Sequence, residues 1–347
     1  MKKPGAISSP RADLRRIAGS LSTPATDSLL DLHRAEVPRD VWVRSLFEPI
    51  REFLYRPGKG FRASLVAAGW RLAGGSGKVP PILARFVEQL HAGSLIVDDI
   101  EDGAHERRGG PALHRKHGIP IALNLGNFLY FWPLAQLPLL SLPPTREVRI
   151  HRDYAMTLVR CHAGQALDLA TCVWDLSQSD VSRVVSAATR LKTGSLTEFA
   201  MRLGATAAGA DAKDRRALGR LGRDLGIVLQ MLDDLSGIVN RVRRHKGHED
   251  LVQGRLTWAW AWAAEWSDAK TYARLRKRAR AVDRGTLSPD VLSDEIQTLI
   301  RQRARSYVRV RLSNAVEQFR EDFGPSRALT KLHNDVRELE RSFLGDE

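Results

Sequence analysis

The chain has 347 residues, 43% of them hydrophobic, and its 54 Lys and Arg against 40 Asp and Glu leave a net charge of +14. That length buries a sizeable core as one large domain or two small ones, and the abundance of Ala, Leu and Arg over β-branched and aromatic residues predicts an all-α protein. The positive balance raises nucleic acid, an anionic membrane or a polyphosphate substrate as partners. Because the arginines are spread along the chain and no nucleic-acid motif accompanies them, nucleic acid is set aside.

The first residues, Met1 to Ala6, start basic but lack the apolar run of a signal peptide. Residues 1–25 read as a flexible leader and 26–347 as one helical domain. Apolar positions at helical spacing between 28 and 55 predict two short helices. Next comes Arg56-Pro57-Gly58-Lys59-Gly60-Phe61-Arg62, a turn whose glycines let the backbone approach an anion closely.

A helix is predicted over 80–100, with Ile82, Phe86, Leu90, Leu83 and Val87 on its inner stripe. It ends in Asp98-Asp99-Ile100-Glu101-Asp102. Asp98 and Asp102 lie on one face about 6 Å apart along the axis, with Asp99 angled beside them. Such crowded carboxylates repel unless a cation compensates them, and hard oxygen ligands suit a magnesium ion that shares its sites with phosphates. Arg107 and Arg108 follow in the next loop, and guanidiniums are good phosphate partners. The competing reading is an acidic helix end with ordinary surface ion pairs.

No charged residue occurs between Gly118 and Thr145, but Pro120, Asn124, Asn127, Pro133, Gln136, Pro138 and Pro143 argue against a membrane span. A buried central helix ending near Pro138 is expected. A helix over 146–174 carries Gln165 and Asp168 on a shared face, and one over 180–206 holds Lys192-Thr193 in an apolar run, where the lysine snorkels or reaches an anion.

Residues 217–240 repeat the acidic theme, ending in Gln230, Asp233 and Asp234. Two facing acidic helix ends suit several magnesium ions around one diphosphate. Trp258, Trp262 and Trp266 then share a face at spacing four, for packing or to face a cation. From 267 onward the chain is basic and helical, with Leu292, Ile296, Ile300, Ala304, Val308, Leu312 and Val316 as an inner stripe. Cys161 and Cys172 form neither a CxxC pair nor a disulfide framework, which points to a reducing cytoplasm. His114, His117, His245 and His248 match no zinc pattern.

From about Pro57 to Trp262 these residues together resemble the trans-type isoprenyl diphosphate synthases, the polyprenyl synthetase family. Six motifs stand in the family's order. They are Gly58, Lys59 and Arg62; the His91 to Ser94 segment; Asp98, Asp99 and Asp102 with the tail Arg107, Arg108, Gly109, Pro111 and His114; Gly164, Gln165 and Asp168; Lys192 and Thr193; and the helix ending in Gln230, Asp233 and Asp234.

The resemblance implies a single large helical bundle around a central cavity, usually a homodimer, in which magnesium assists ionisation of an allylic diphosphate. Isopentenyl diphosphate then attacks the allylic cation and loses a proton to the departing diphosphate. Carried over, Asp98, Asp99, Asp102 and Asp233, with Asp234 as a further candidate, would bind two or three magnesium ions. Arg107, Lys192 and Lys246 would hold the allylic diphosphate, and Lys59, Arg62, His91 and Arg108 isopentenyl diphosphate. Thr193 and Gln230 would direct oxygen dipoles at the cation.

The chain departs from the family at Gly60, where an additional Arg is usual, at Gly237, which replaces the third Asp of the second motif, and at Asn127. Gly93 stands where short-chain members carry a bulky aromatic. The missing side chain leaves room in a pocket for a product of about C20 or longer. A terpene synthase on the same scaffold and a non-catalytic partner subunit are the alternatives, and a peripheral membrane contact remains a further expected partner.

Overall fold

The computed structural model describes residues 24–344 apart from Lys59. The expected leader over 1–25 thus lies, but for Pro24 and Ala25, outside the described residues, and so does Lys59. A helical run from Arg39 passes through a π turn at Val43–Phe47 into α1 (Glu48–Tyr55). Then come α2 (Phe61–Leu72) and α3 (Pro81–Glu101), which begins on a proline, a residue suited to a first helical position where no amide donor is needed. A two-residue hairpin, β1 (Glu106–Arg107) and β2 (Gly110–Pro111), separates α3 from α4 (Ile119–Ala135).

α5 (Pro144–Ala170), α6 (Gln178–Thr189), α7 (Ser195–Ala208) and α8 (Ala212–Val239) follow. The predicted helix over 180–206 is interrupted at Arg190–Gly194, where a π turn carries Lys192 and Thr193. Such turns displace side chains from the regular helical register and are frequent at functional sites. The remainder is α9 (Arg244–Val252), α10 (Trp258–Trp266), α11 (Ala269–Asp283), α12 (Pro289–Phe323) and α13 (Arg327–Leu344). Asp211, Asp268 and Ser288 cap α8, α11 and α12 by accepting from backbone N–H groups at 2.8, 2.7 and 3.2 Å.

The helices form one layered bundle in which α7 packs on α2 and α8, α3 on α2 and α4, and α8 and α10 on α12. The stripe from Leu292 to Val316 is buried along its whole length, as its spacing predicts. Trp260 and Trp262 are fully buried; Trp262 stacks on Trp266 and tilts against Trp258, each at 5.9 Å between ring centroids, with Tyr307 beside it. The tryptophan stripe is core packing between α10 and α12.

Close backbone approach sets several crossings. A Cβ on Gly93 would lie 2.8 Å from the Gly126 carbonyl and 3.0 Å from Leu129 Cβ. The space beside Gly93 is therefore filled by α4, which corrects the expectation that this glycine opens room for a longer tail. α4 is also not wholly buried: Phe131 is 66% exposed, Ile121 and Leu123 are exposed nearer its start, and α5 exposes Val148, Met156 and Val159. Among the described residues no helix is long and apolar enough to cross a membrane.

At the crossing of α7 and α2 a Cβ on Gly204 would fall 2.0 Å from the Val66 carbonyl oxygen and 2.7 Å from the Trp70 amide nitrogen. Neither backbone atom can yield as a side-chain tip would. Gly204→Ala is expected to lower the unfolding free energy by about 1–3 kcal/mol, read from the midpoint of urea denaturation.

Candidate active site

The C-terminal end of α3 presents Asp98 and Asp102 on one side and turns Asp99 inward. Asp98 Oδ1 accepts from Lys192 Nζ and from Gln165 Nε2, each at 3.0 Å. Lys192 also donates to Asp168 Oδ2 at 3.0 Å, and Arg255 pairs with Asp102 while lying 3.6 Å from Asp168. Three carboxylates thus share two cations that arrive from the π turn and from the segment before α10. Gly164 makes room for this: its Cβ would meet the Lys192 amide nitrogen at 2.8 Å.

The electrostatics follow from that sharing. Burial works against the charge of Asp98, but Lys192 and then Arg107 outweigh it and hold its carboxyl below the usual range. Asp102 is pushed up to about 6 by burial and by the charge of Asp98, only partly offset by Arg255. Lys192 is raised despite its burial, by Asp98 and Asp168. The negative charge left around Asp102 is the kind a divalent cation relieves.

Asp99 sits differently from Asp98 and Asp102. It is fully buried, Arg107 Nε donates to its Oδ1 at 2.6 Å, and its other oxygen has no hydrogen-bond partner. One carboxylate oxygen thus orients Arg107. The hairpin carrying Arg107 turns through Arg108 and Gly109, both at positive φ (54° and 75°), the signature of a tight two-residue turn. Arg56 Nη1 fastens it by donating to the Arg107 and Pro111 carbonyls at 3.0 and 2.8 Å.

The second acidic end differs. Asp233 is held by both Arg243 and Lys246, whose charges outweigh its burial and lower its pKa. Asp234 faces the fold: Gln230 Nε2 and the Trp258 amide each donate to it at 2.8 Å, and burial pushes it up to about 7. Gln230 in turn accepts from Thr193 Oγ1 at 2.8 Å. In this structure Asp234 is thus a buried anchor for α10 and for Gln230. Gly237 lies against Gly247, so the position of the missing third carboxylate is closed by α9.

The third cluster lies around His91. Arg62 Nη1 is 3.1 Å from His91 Nε2. A guanidinium has no acceptor, so the ring nitrogen accepts and the ring proton belongs on Nδ1. Burial, then Arg62, Arg108 and Arg107, keep His91 well below the ordinary histidine range. The buried Glu88 accepts from the Ala63 amide at 3.1 Å and is the carboxylate that most offsets the burial of both Arg62 and Arg108. The predicted residues are therefore brought together, Lys59 excepted, which lies outside the described residues. Sequence reasoning missed the roles of Arg255, Arg243 and Glu88. Nothing local marks them, because Arg255 meets Asp102 across 153 positions.

Among the described residues no set of three or more His, Cys, Asp or Glu is gathered as a ready-made metal site. The donor chemistry at the first end fits magnesium, with Asp98 and Asp102 as hard oxygen donors in an undercompensated field. The second end offers Asp233 alone.

Fold and site define an all-α bundle with paired acidic helix ends ringed by cations. The sequence profile of the family described as Polyprenyl synthetase matches residues 43–287, and the chain belongs to that family. It is 32% identical over 216 residues to a geranylgeranyl pyrophosphate synthase of Dictyostelium discoideum, covering 61% of this chain and 67% of that one. A geranylfarnesyl diphosphate synthase of Aeropyrum pernix is 32% identical over 209 residues, 58% of this chain and 64% of its own length, so the match spans less than two thirds of that relative. The crystal structure of a geranylgeranyl pyrophosphate synthetase from Pyrococcus horikoshii superposes with a TM-score of 0.72 at 22% identity, covering 97% of this chain and 98% of that one, and shares the fold.

If Asp234 anchors rather than ligates, Asp234→Ala leaves the Trp258 amide and the Gln230 amide unpaired. It is expected to lower the unfolding free energy by about 1–3 kcal/mol in metal-free buffer, measured by chemical denaturation in EDTA. An unchanged midpoint would return Asp234 to the metal site.

Proposed function

We propose that the protein is a magnesium-dependent prenyltransferase that condenses an allylic prenyl diphosphate with isopentenyl diphosphate into a longer linear prenyl diphosphate. The observation that carries this reading is the presence of two separate cation sets. Lys192, Arg255 and Lys246 sit on the acidic ends, while Arg62 and Arg108 stand apart with their own carboxylate, Glu88. Two polyanion sites suit two diphosphate substrates, which a cyclising enzyme does not need. The packing of Trp258 and Trp262 in the core also weakens the case for a tryptophan stripe facing a cation.

On this reading Asp98, Asp102 and Asp233 hold magnesium, which when bound supplies Lewis-acid stabilisation of the leaving diphosphate. Lys192, Arg255 and Lys246 orient the allylic diphosphate, giving up carboxylate partners for phosphate oxygens. Thr193 spends its hydroxyl proton on Gln230, so its oxygen offers only lone pairs to positive charge developing beside it. Arg62 and Arg108 hold isopentenyl diphosphate, and the hairpin fixed by Arg56 sets Arg107 and Arg108 at fixed positions between the two sites. A product of geranylgeranyl length or longer is supported by what the relatives are named for.

The test is to incubate the protein and magnesium with dimethylallyl, geranyl, farnesyl and geranylgeranyl diphosphate, each with and without isopentenyl diphosphate. A longer linear diphosphate is expected only when isopentenyl diphosphate is present; hydrocarbon or alcohol formed without it would make the protein a terpene synthase, and silence in every tube a partner subunit. Asp98→Ala is expected to abolish turnover. Arg108→Ala is expected to raise KM for isopentenyl diphosphate about tenfold, the loss of one charge-assisted contact, with a smaller change for the allylic substrate.

The proposed enzyme is a cytoplasmic homodimer. The exposed apolar side chains of α4, a helix that carries no charge, together with Val148, Met156 and Val159 of α5, support self-association, and the two free cysteines suit a reducing compartment. Phe131→Glu is expected to shift the protein to monomer in analytical ultracentrifugation; an unchanged mass would place the interface elsewhere.

A further inference from the structure

The second acidic end carries an excess of cation at its accessible surface. Asp234 is closed off by Gln230 and Trp258, and position 237 is a glycine pressed against α9, leaving Asp233 as the accessible carboxylate among Asp233, Asp234 and position 237. Facing it are two cations, Arg243 and Lys246. Asp250, one turn beyond Lys246 on α9, lies within electrostatic reach of the lysine.

Arg243 is also positioned from the far end of the chain. Its guanidinium lies 4.4 Å over the ring of Phe343, which is 4% exposed near the end of α13. Asn240, which caps the turn Arg241–Arg243 by accepting from the Val242 amide at 3.0 Å, donates its Nδ2 to the Phe343 carbonyl at 2.8 Å. An aromatic face restricts a guanidinium without consuming its N–H donors, which stay in plane and directed outward. One of these donors is used on Asp233, and the planar fork matches a second anion as well as the first.

We propose that Arg243, held by Phe343, is a diphosphate-binding residue of the second acidic end, so that with Lys246 it contacts the diphosphate directly and part of the binding there needs no metal. The inference rests on the reading of this site as a diphosphate site, and it replaces the expectation of a metal-rich second motif with a site in which Asp233 is directly paired with two cations while Asp250 acts on Lys246 from α9. Arg243 binds the ligand; Phe343 and Asn240 position Arg243.

The test is calorimetric titration of the full chain with inorganic pyrophosphate, in EDTA and then in magnesium. Wild-type protein is expected to bind in EDTA, and Arg243→Ala to bind about tenfold more weakly. Phe343→Leu removes the ring from beneath Arg243 while keeping an apolar side chain in the core, and is expected to weaken binding about threefold with a small drop in thermal midpoint from the lost buried volume. Arg274→Ala, on the exposed surface of α11, is expected to change nothing. An Arg243→Ala affinity within about twofold of wild type in both buffers would overturn the proposal while leaving the site reading intact. Wild-type binding that requires magnesium would overturn the direct contact. No wild-type binding in either buffer would overturn the site reading along with it. Should Arg243→Ala fail to fold, Phe343→Leu decides: full affinity in EDTA overturns the proposal.

Discussion

Asp98, Asp102 and Asp168 converge in a partly buried space, and they coexist because Lys192 and Arg255 are shared among them. Carboxylates crowded away from water are costly unless each is paired. Neither cation is near the acids in sequence: one comes from a π turn between α6 and α7, the other from the link before α10. The arrangement of the helices and the charge balance of the site are therefore one constraint. A helix shift that carried either cation away would leave an uncompensated carboxylate, and on the proposed reading a polyanion that recruits these cations frees the same carboxylates for metal.

Holding such an arrangement to within a hydrogen-bond length requires helices whose backbones touch. Gly204 against Val66, Gly93 against Gly126 and Gly164 against Lys192 supply those contacts, each at a position where a Cβ would overlap backbone. Side chains between helices allow compliance, whereas backbone against backbone does not. The glycine of the Gly164-Gln165 pair thus acts on the lysine it approaches, and Gln165 then donates to Asp98 from the same turn.

Much of this was legible in sequence because it is local. The inner stripe of α12 follows from 3.6-residue periodicity, and the shared face of Asp98 and Asp102 from a spacing of four. What escaped was whatever depends on the far side of a contact. Asp234 looks like the neighbour of Asp233, but α10 turns it into a buried acceptor for the Trp258 amide. Gly93 reads as an absence of side chain, yet α4 fills the space. Lys192 reads as a mid-helix residue, while the π turn that aims it has no marker in Arg190-Leu191-Lys192-Thr193-Gly194. Arg255 stands in a basic segment among many exposed arginines.

The two ends of the site are built on opposite electrostatic plans. Around α3 the acids outnumber the cations nearby, and Asp102 is the residue on which the imbalance falls. Around His91 the cations prevail: Glu88 is the carboxylate that most offsets the charge of Arg62 and Arg108, and His91 adds no further charge because burial and the neighbouring guanidiniums keep it neutral. In that state its Nε2 is an acceptor for Arg62. A phosphate oxygen is an acceptor too and competes with the ring for the same N–H groups. On the proposed reading His91 therefore keeps Arg62 oriented through Nε2 while its protonated Nδ1 remains a donor. That division of the two ring nitrogens follows from the donor-only character of a guanidinium, and it separates the role of this histidine from that of the arginines beside it.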